Sequence, residues 1–165
     1  MPWLDAAYNL ARWLLNDENA AEDVVQEASI RAFKYLDSLR GNEARLWFLG
    51  IVRNSCFTYL KERKGRNVQF GLEDEALEAV QWKAGDAALD PLVSLERGRE
   101  RTIIDAAIRH LPPAMRDVFV LREIEGLEYS EIAQIAAIPI GTVMSRLSRA
   151  RGRLKAQLSQ TDLRE

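Results

Sequence analysis

An all-α protein of two small helical domains joined by an acidic linker is the architecture that this 165-residue chain predicts. Three observations carry that expectation. Apolar residues recur at helical spacing, with almost no strand-like alternation. Pro and Gly punctuate the periodic runs. Charge is unevenly spread: residues 1–65 carry nine cations and nine acids, residues 66–96 two against seven, and residues 97–165 twelve against nine. A neutral domain (1–65), an acidic linker (66–96) and a basic domain (97–165) follow from that division.

The first helix is expected from about Leu4 to Leu15. Asn19, with Glu22 three residues on, makes a capping-box-like start for a second helix reaching about Leu39. Arg40-Gly41-Asn42 reads as a short loop, and a third helix runs from about Glu43 to Lys64. The linker holds Gly71, Gly85 and six acids from Glu73 to Asp90. A fourth helix is expected from about Leu92 to Leu111, and a fifth from Ala114 to Glu125, where Gly126 stops it.

The stretch Tyr129 to Lys155 then reads as two helices around a tight turn, the second with five cations and no acid. Ser130 is placed to cap the first of them, while Ile132, Ala133 and Ala136 give it an apolar face. At about 100° per residue, Val143, Leu147, Ala150 and Leu154 of the second fall in one narrow arc, the buried stripe. Ser145, Ser148 and Gly152 lie opposite. Arg146, Arg149 and Arg153 line one flank, and Met144, Arg151 and Lys155 the other. A small polar ridge between basic flanks suits a major groove, where base edges lie between phosphate rails. Helix, short turn, basic helix is the helix-turn-helix pattern.

Composition narrows the function classes. The net charge of −2 conceals the basic half, so total charge is a poor guide to nucleic-acid binding here. A single cysteine, Cys56, excludes a disulfide framework within the chain and falls in an apolar helical pattern, implying a buried thiol and a cytoplasmic setting. No apolar run approaches the roughly 18 residues of a membrane span, and the first residues lack a secretory pattern. No contact with membrane, no metal and no cofactor is expected. His110, the single histidine, stands at a helix end where it caps carbonyls rather than acting as a base. Without metal-ligand spacing or a phosphate-binding Gly loop, catalysis is not expected.

The first domain carries further surfaces. On helix two, Ala21, Val24, Val25, Ala28, Ala32 and Leu36 share the core-facing arc. The opposite arc mixes Asp23, Gln26, Glu27 and Lys34 with Ile30 and Phe33. Either a protein partner covers that arc or the neighbouring helices bury both. Helix three is apolar except for a narrow arc of Arg53, Asn54, Phe57, Lys61 and Lys64. A ring among cations and an amide is how unstacked bases are held, although such a stripe can also pack within the protein.

Taken together, AEDVVQEASIRAF at 21–33, the W-x-x-x-I-V-R-N pattern from Trp47, LPPAMRDVFVLREIEGLEYSEIA at 111–133 and the P-x-G-T-V-x-S-R-x-x-R-A-R pattern from Pro139 resemble the extracytoplasmic-function sigma factors. These are the small two-domain members of the bacterial sigma-70 class. The resemblance covers nearly the whole chain, in order. It implies a dissociable subunit of RNA polymerase that selects promoters and makes or breaks no bond itself. It further implies that Asp23, Gln26, Glu27 and Arg31 meet the clamp helices of the largest core subunit. Arg40, Asn42, Arg53, Asn54, Phe57 and Lys61 would read and open the minus-10 element, a flipped base trading lost stacking for protein contacts. Thr142, Ser145, Arg146, Arg149 and Arg151 would read the minus-35 duplex. An anti-sigma factor is the expected inhibitory partner.

The chain departs from the family pattern at four positions. Met144 replaces a common Lys or Arg and offers only apolar contact, for instance to a thymine methyl. Ser148 occupies a position that is sometimes aromatic. Ala137 stands where the turn often has Gly, at a penalty of about 1 kcal/mol if its backbone is left-handed. Gly152 lies inside the recognition helix, with a similar penalty relative to Ala. The competing class is a stand-alone dimeric helix-turn-helix regulator, which has no need for the Asp23/Gln26/Glu27 face beside an aromatic and basic helix three.

Overall fold

A computed structural model of the chain describes residues 2–35, 42–64 and 96–163, and their regular structure is helical throughout. The loop residue Arg40 and nearly all of the expected linker lie outside the described residues.

Helix α1 (Pro2–Leu15) buries Ala7, Leu10, Ala11 and Leu14 completely. Asn16 ends it at φ 56, a left-handed conformation that Asn tolerates better than most residues. Helix α2 (Glu18–Phe33) starts earlier than Asn19. Its cap is Asp17, whose Oδ1 accepts from the amides of Asn19 (3.0 Å) and Ala20 (3.2 Å). The extended backbone of Asp17 sets that carboxylate over the first turn, so the Asn19 box does not form. Helix α2 ends at Phe33, short of the expected Leu39, and Leu36 lies outside the described residues. Helix α3 (Asn42–Lys64) packs on both.

Helix α4 (Glu96–Arg109) is followed by α5 (Pro113–Phe119), with Pro113 in the first turn where its missing N–H loses nothing. The expected single helix to Glu125 is interrupted: Val120–Ile124 form a π-helical turn in which the Glu125 amide bonds the Val120 carbonyl at 3.0 Å. Gly126 terminates it at φ 72, the left-handed geometry that its lack of a side chain permits. Helix α6 (Tyr129–Ala136) is capped one residue before its start, not by Ser130: the Glu131 carboxylate accepts the Glu128 amide at 3.0 Å. Helix α7 (Ile140–Leu163) buries Val143, Leu147, Ala150 and Leu154, the stripe that its periodicity predicts.

A continuous apolar cluster runs through both halves of the chain. Helix α3 packs against α6, and α1 against α5 and the π turn, so the two sets of helices meet along a seam. Ala137, joining α6 to α7, has φ 56 and ψ 46. That left-handed position is unfavourable for any residue with a Cβ, so Ala137→Gly is expected to stabilise the fold by about 0.5–1 kcal/mol, after the larger chain entropy that Gly loses on folding. Thermal unfolding checks this; an unchanged or lower Tm contradicts it.

Candidate nucleic-acid and partner surfaces

Helix α2 turns its Ala and Val face to the core and presents the rest to solvent. Asp23, Gln26, Glu27 and Arg31 are all exposed. Glu27 and Arg31 pair at 2.7 Å across one turn, which orders the charges without drawing them inward. Among them stand Ile30 at 62% and Phe33 at 76% exposure. Neighbouring helices therefore leave this arc uncovered. An apolar patch inside a charged rim is the anatomy of a protein docking surface.

The arc expected on α3 is arranged differently. Asn54 and Lys61 are exposed, and Asn42 is the first residue of the helix. Arg53 and Phe57 are buried instead, at 8% and 9% exposure. The Arg53 Nε donates to Asp117 Oδ2 at 2.6 Å, and its guanidinium lies 4.3 Å from the centre of the Phe57 ring. Asp117, on α5, is fully buried and also accepts the Val118 amide at 2.7 Å. Arg53 reaches the second half of the chain across the seam and Phe57 packs against its guanidinium, so the two form no open stripe in this arrangement. Helix three is apolar around most of its surface, and burying a wider arc of it accounts for their position.

Further polar contacts cross the same seam. Arg116 is fully buried, its NH2 donating to the Leu14 carbonyl at 2.8 Å and its NH1 to the Arg109 carbonyl at 2.6 Å. Burial pushes its pKa down to about 10, which leaves it cationic at neutral pH, and neighbouring Asp117 opposes that shift. Asn9 donates to Glu125 at 3.3 Å, and Arg109 lies 5.7 Å from the Trp13 ring. Burial raises the Glu125 carboxyl above its ordinary range, with the Asn9 bond acting against it. A cleft of about 450 Å³ opens along the seam, lined by Trp47, Gly50, Ile51 and Asn54 on one side and by Gln134 and Ile135 on the other.

On α7, Ser145, Ser148, Arg149 and Arg151 are exposed, and Thr142 is half-buried. Arg146 is the exception: it is buried at 5% exposure and does not stand on an open flank. It lies three residues after Val143 and four before Ala150, both fully buried, so it shares their side of the helix. Ser145 donates to the Thr142 carbonyl at 3.1 Å. Arg151 pairs with Glu123 at 2.6 Å, which raises its pKa.

Cys56 and His110 lie within the fold. Cys56 is buried, and its thiol is pushed up to about 12 by burial against the opposing pull of Arg116 and Arg53. His110 bonds the Ala106 carbonyl through Nδ1 at the end of α4. Among the described residues no group of three or more His, Cys, Asp or Glu side chains could hold a metal, and no helix is long and apolar enough to cross a membrane. Sequence reasoning missed Asp117 and Arg116. Their signal was two opposite charges inside the otherwise apolar run MRDVFVL, where a helix facing a core needs some way to satisfy both.

Comparison with known proteins finds relatives over most of the chain. Residues 1–66 match the family model Sigma-70 region 2, and residues 101–154 match Sigma-70, region 4. The chain is 37% identical over 142 residues to the RNA polymerase sigma-H factor of Pseudomonas aeruginosa, covering 83% of this chain and 72% of that protein. It is 38% identical over 133 residues to the ECF RNA polymerase sigma-E factor of Escherichia coli, covering 78% and 69%. A solved structure of the sigma factor RpoE in complex with the anti-sigma factor NepR, from Bartonella quintana, superposes with a TM-score of 0.69 at 28% identity, covering 96% of this chain and 92% of that one.

The seam is testable through its ion pair. In Asp117→Ala, Arg53 is left as an unpaired buried charge, a loss of about 3–5 kcal/mol if the seam stays closed. Hydrogen exchange should rise selectively at residues 53–57 and 116–118 while helix content holds. The double variant Arg53→Leu/Asp117→Leu should restore most of the protection, because two apolar side chains leave no orphan charge. Uniform protection in Asp117→Ala contradicts the assignment.

Proposed function

The chain belongs to the extracytoplasmic-function group of the bacterial sigma-70 class, and from that premise we propose how its particular residues serve transcription initiation. It acts as a dissociable subunit that binds core RNA polymerase and directs it to promoters, reading minus-35 duplex DNA and opening the minus-10 element. The observation that carries this reading is the presence of both regions, in order, on one short chain. A stand-alone regulator would need only the second. The protein performs no catalysis of its own and works in the cytoplasm, where the polymerase is.

In this reading the exposed arc of α2, with Asp23, Gln26, Glu27 and Arg31 around Ile30 and Phe33, docks on the clamp helices of the largest core subunit. The α3 residues Arg53, Asn54, Phe57 and Lys61, with Arg40 and Asn42 preceding them, engage the minus-10 element. Asn54 and Lys61 are exposed; Arg53 and Phe57 are held in the seam. Promoter opening therefore requires the two halves to part first. The Arg53 guanidinium then exchanges the Asp117 carboxylate for a phosphate, which offers the same oxygen geometry. The ring of Phe57 is released at the same moment for a base to stack upon.

On α7, Thr142 and Ser145 lie toward the bases, and Arg149 and Arg151 toward phosphates. Arg146 supports the helix from the buried side in the closed form. An anti-sigma factor is the natural antagonist. The superposable neighbour is itself a sigma factor bound to one, and a closed chain is the form such a partner would favour.

Two measurements test this reading. Core RNA polymerase should retain the chain in a pull-down, and Glu27→Lys should weaken retention by on the order of tenfold, since a reversed rim charge acts against docking. Its folding should be unaffected, because the exposed pair with Arg31 contributes at most about 0.5 kcal/mol. Failure of the wild-type chain to bind core in the absence of any antagonist would sink the proposal. In the holoenzyme, Arg149→Ala should lower minus-35 affinity and flatten the salt dependence by about one unit if the side chain neutralises one phosphate. An unchanged slope removes Arg149 from the phosphate contacts.

A further inference from the structure

The base-facing end of α7 has an unusual inventory. From Ile140 to Ser148 the exposed residues are Ile140, Gly141, Met144, Ser145 and Ser148, with Thr142 half-buried. Arg146, the one cation in that stretch, is turned inward. The exposed set therefore contains no cation, no carboxylate and no side-chain amide. Those are the groups that distinguish bases by paired hydrogen bonds: Arg or Lys for guanine, Asn or Gln for adenine, Asp or Glu for cytosine.

What the surface does offer is an apolar pair. Ile140 and Met144 are 48% and 53% exposed and stand one turn apart on the same side of the helix. The N-terminal residues of a recognition helix are the ones that reach base edges. In the major groove the apolar group on a base edge is the C5 methyl of thymine. Beside the pair, Ser145 already donates to the Thr142 carbonyl, so its remaining capacity is as an acceptor, suited to the amino group of an adenine.

We propose that Ile140 and Met144 are the specificity-determining residues of the minus-35 reader and select T·A pairs by apolar contact with thymine methyl groups. The inference rests on α7 being that reader. It assigns a recognition chemistry that differs from charged readout at the same helical position. Loss of a methyl in such a contact removes on the order of one CH₂ of burial, a change of about fourfold in affinity.

The test uses holoenzyme assembled from the full chain and core RNA polymerase. A selection from duplexes randomised across the minus-35 region should enrich thymine at neighbouring positions. Replacing each enriched thymine singly by deoxyuridine, which lacks only the methyl, should weaken binding about fourfold at the contacted positions. Met144→Ala should bring the thymine-to-deoxyuridine ratio close to one at one position, and Ile140→Ala at another. Met144→Lys should move the selected base from thymine toward guanine. Absence of enriched thymine, indifference to deoxyuridine at every position, or unchanged ratios in both alanine variants would overturn the inference. A holoenzyme that selects a sequence but ignores the methyl sinks this inference alone. Failure to form a holoenzyme, or to select any duplex sequence, sinks the underlying reading together with it.

Discussion

The buried Arg53–Asp117 ion pair governs how the rest of the molecule is arranged. A guanidinium and a carboxylate lose several kcal/mol each on leaving water, and their mutual attraction recovers this only with good geometry and satisfied neighbours. Here the separation is 2.6 Å, Asp117 is further satisfied by the Val118 amide, and Phe57 covers the guanidinium face. The pair therefore fixes where the two halves meet more than it adds to their cohesion. Arg116 extends the same polar seam by donating to backbone carbonyls on either side. A seam that includes exchangeable polar contacts has a ready substitute partner in a phosphate or another protein, which a purely apolar one lacks.

That arrangement separates what periodicity can reveal from what it cannot. The core faces of α2 and α7 were legible because a 3.6-residue period names the buried stripe without reference to any neighbour, and Ala21, Val24, Leu147 and Leu154 lie where it puts them. The stop at Gly126 was also legible, being a local backbone requirement, whereas the left-handed Ala137 was signalled only by the resemblance, whose turn often has Gly there. The burial of Arg53, Phe57 and Arg146 was not. Each lies on the edge of an apolar arc, and which edge is covered depends on a second helix distant in sequence. Caps shifted for a local reason: Asp17 and Glu128 sit where the chain first turns extended, and nearby Asn19 and Ser130 offered the same chemistry in sequence.

Helix α7 divides its circumference among three tasks. Val143, Leu147, Ala150 and Leu154 anchor it, the hydroxyls and apolar side chains of its first turns form the edge proposed to face the groove, and Arg149, Arg151 and Lys155 provide outward cations. Arg151 is engaged with Glu123 at 2.6 Å, yet both partners are substantially exposed. An exposed pair of this kind contributes little, so under the proposed role of Arg151 the exchange of Glu123 for a phosphate involves only a small loss.

The π turn at Val120–Ile124 has a consequence for how this chain can change length. It holds about one residue more in its turn than an α-helix, the Glu125 amide reaching back five residues to the Val120 carbonyl. Deleting a single residue there would regularise the helix and so look harmless locally. Gly126, α6 and α7 would then stay close to their register with the seam, whereas a deletion from the regular α turns of α5 would rotate everything downstream by roughly 100° about the helix axis. A one-residue deletion among descendants of this chain should therefore be absorbed at 120–124 better than elsewhere in α5, provided the buried side chains of Val120 and Leu121 are kept.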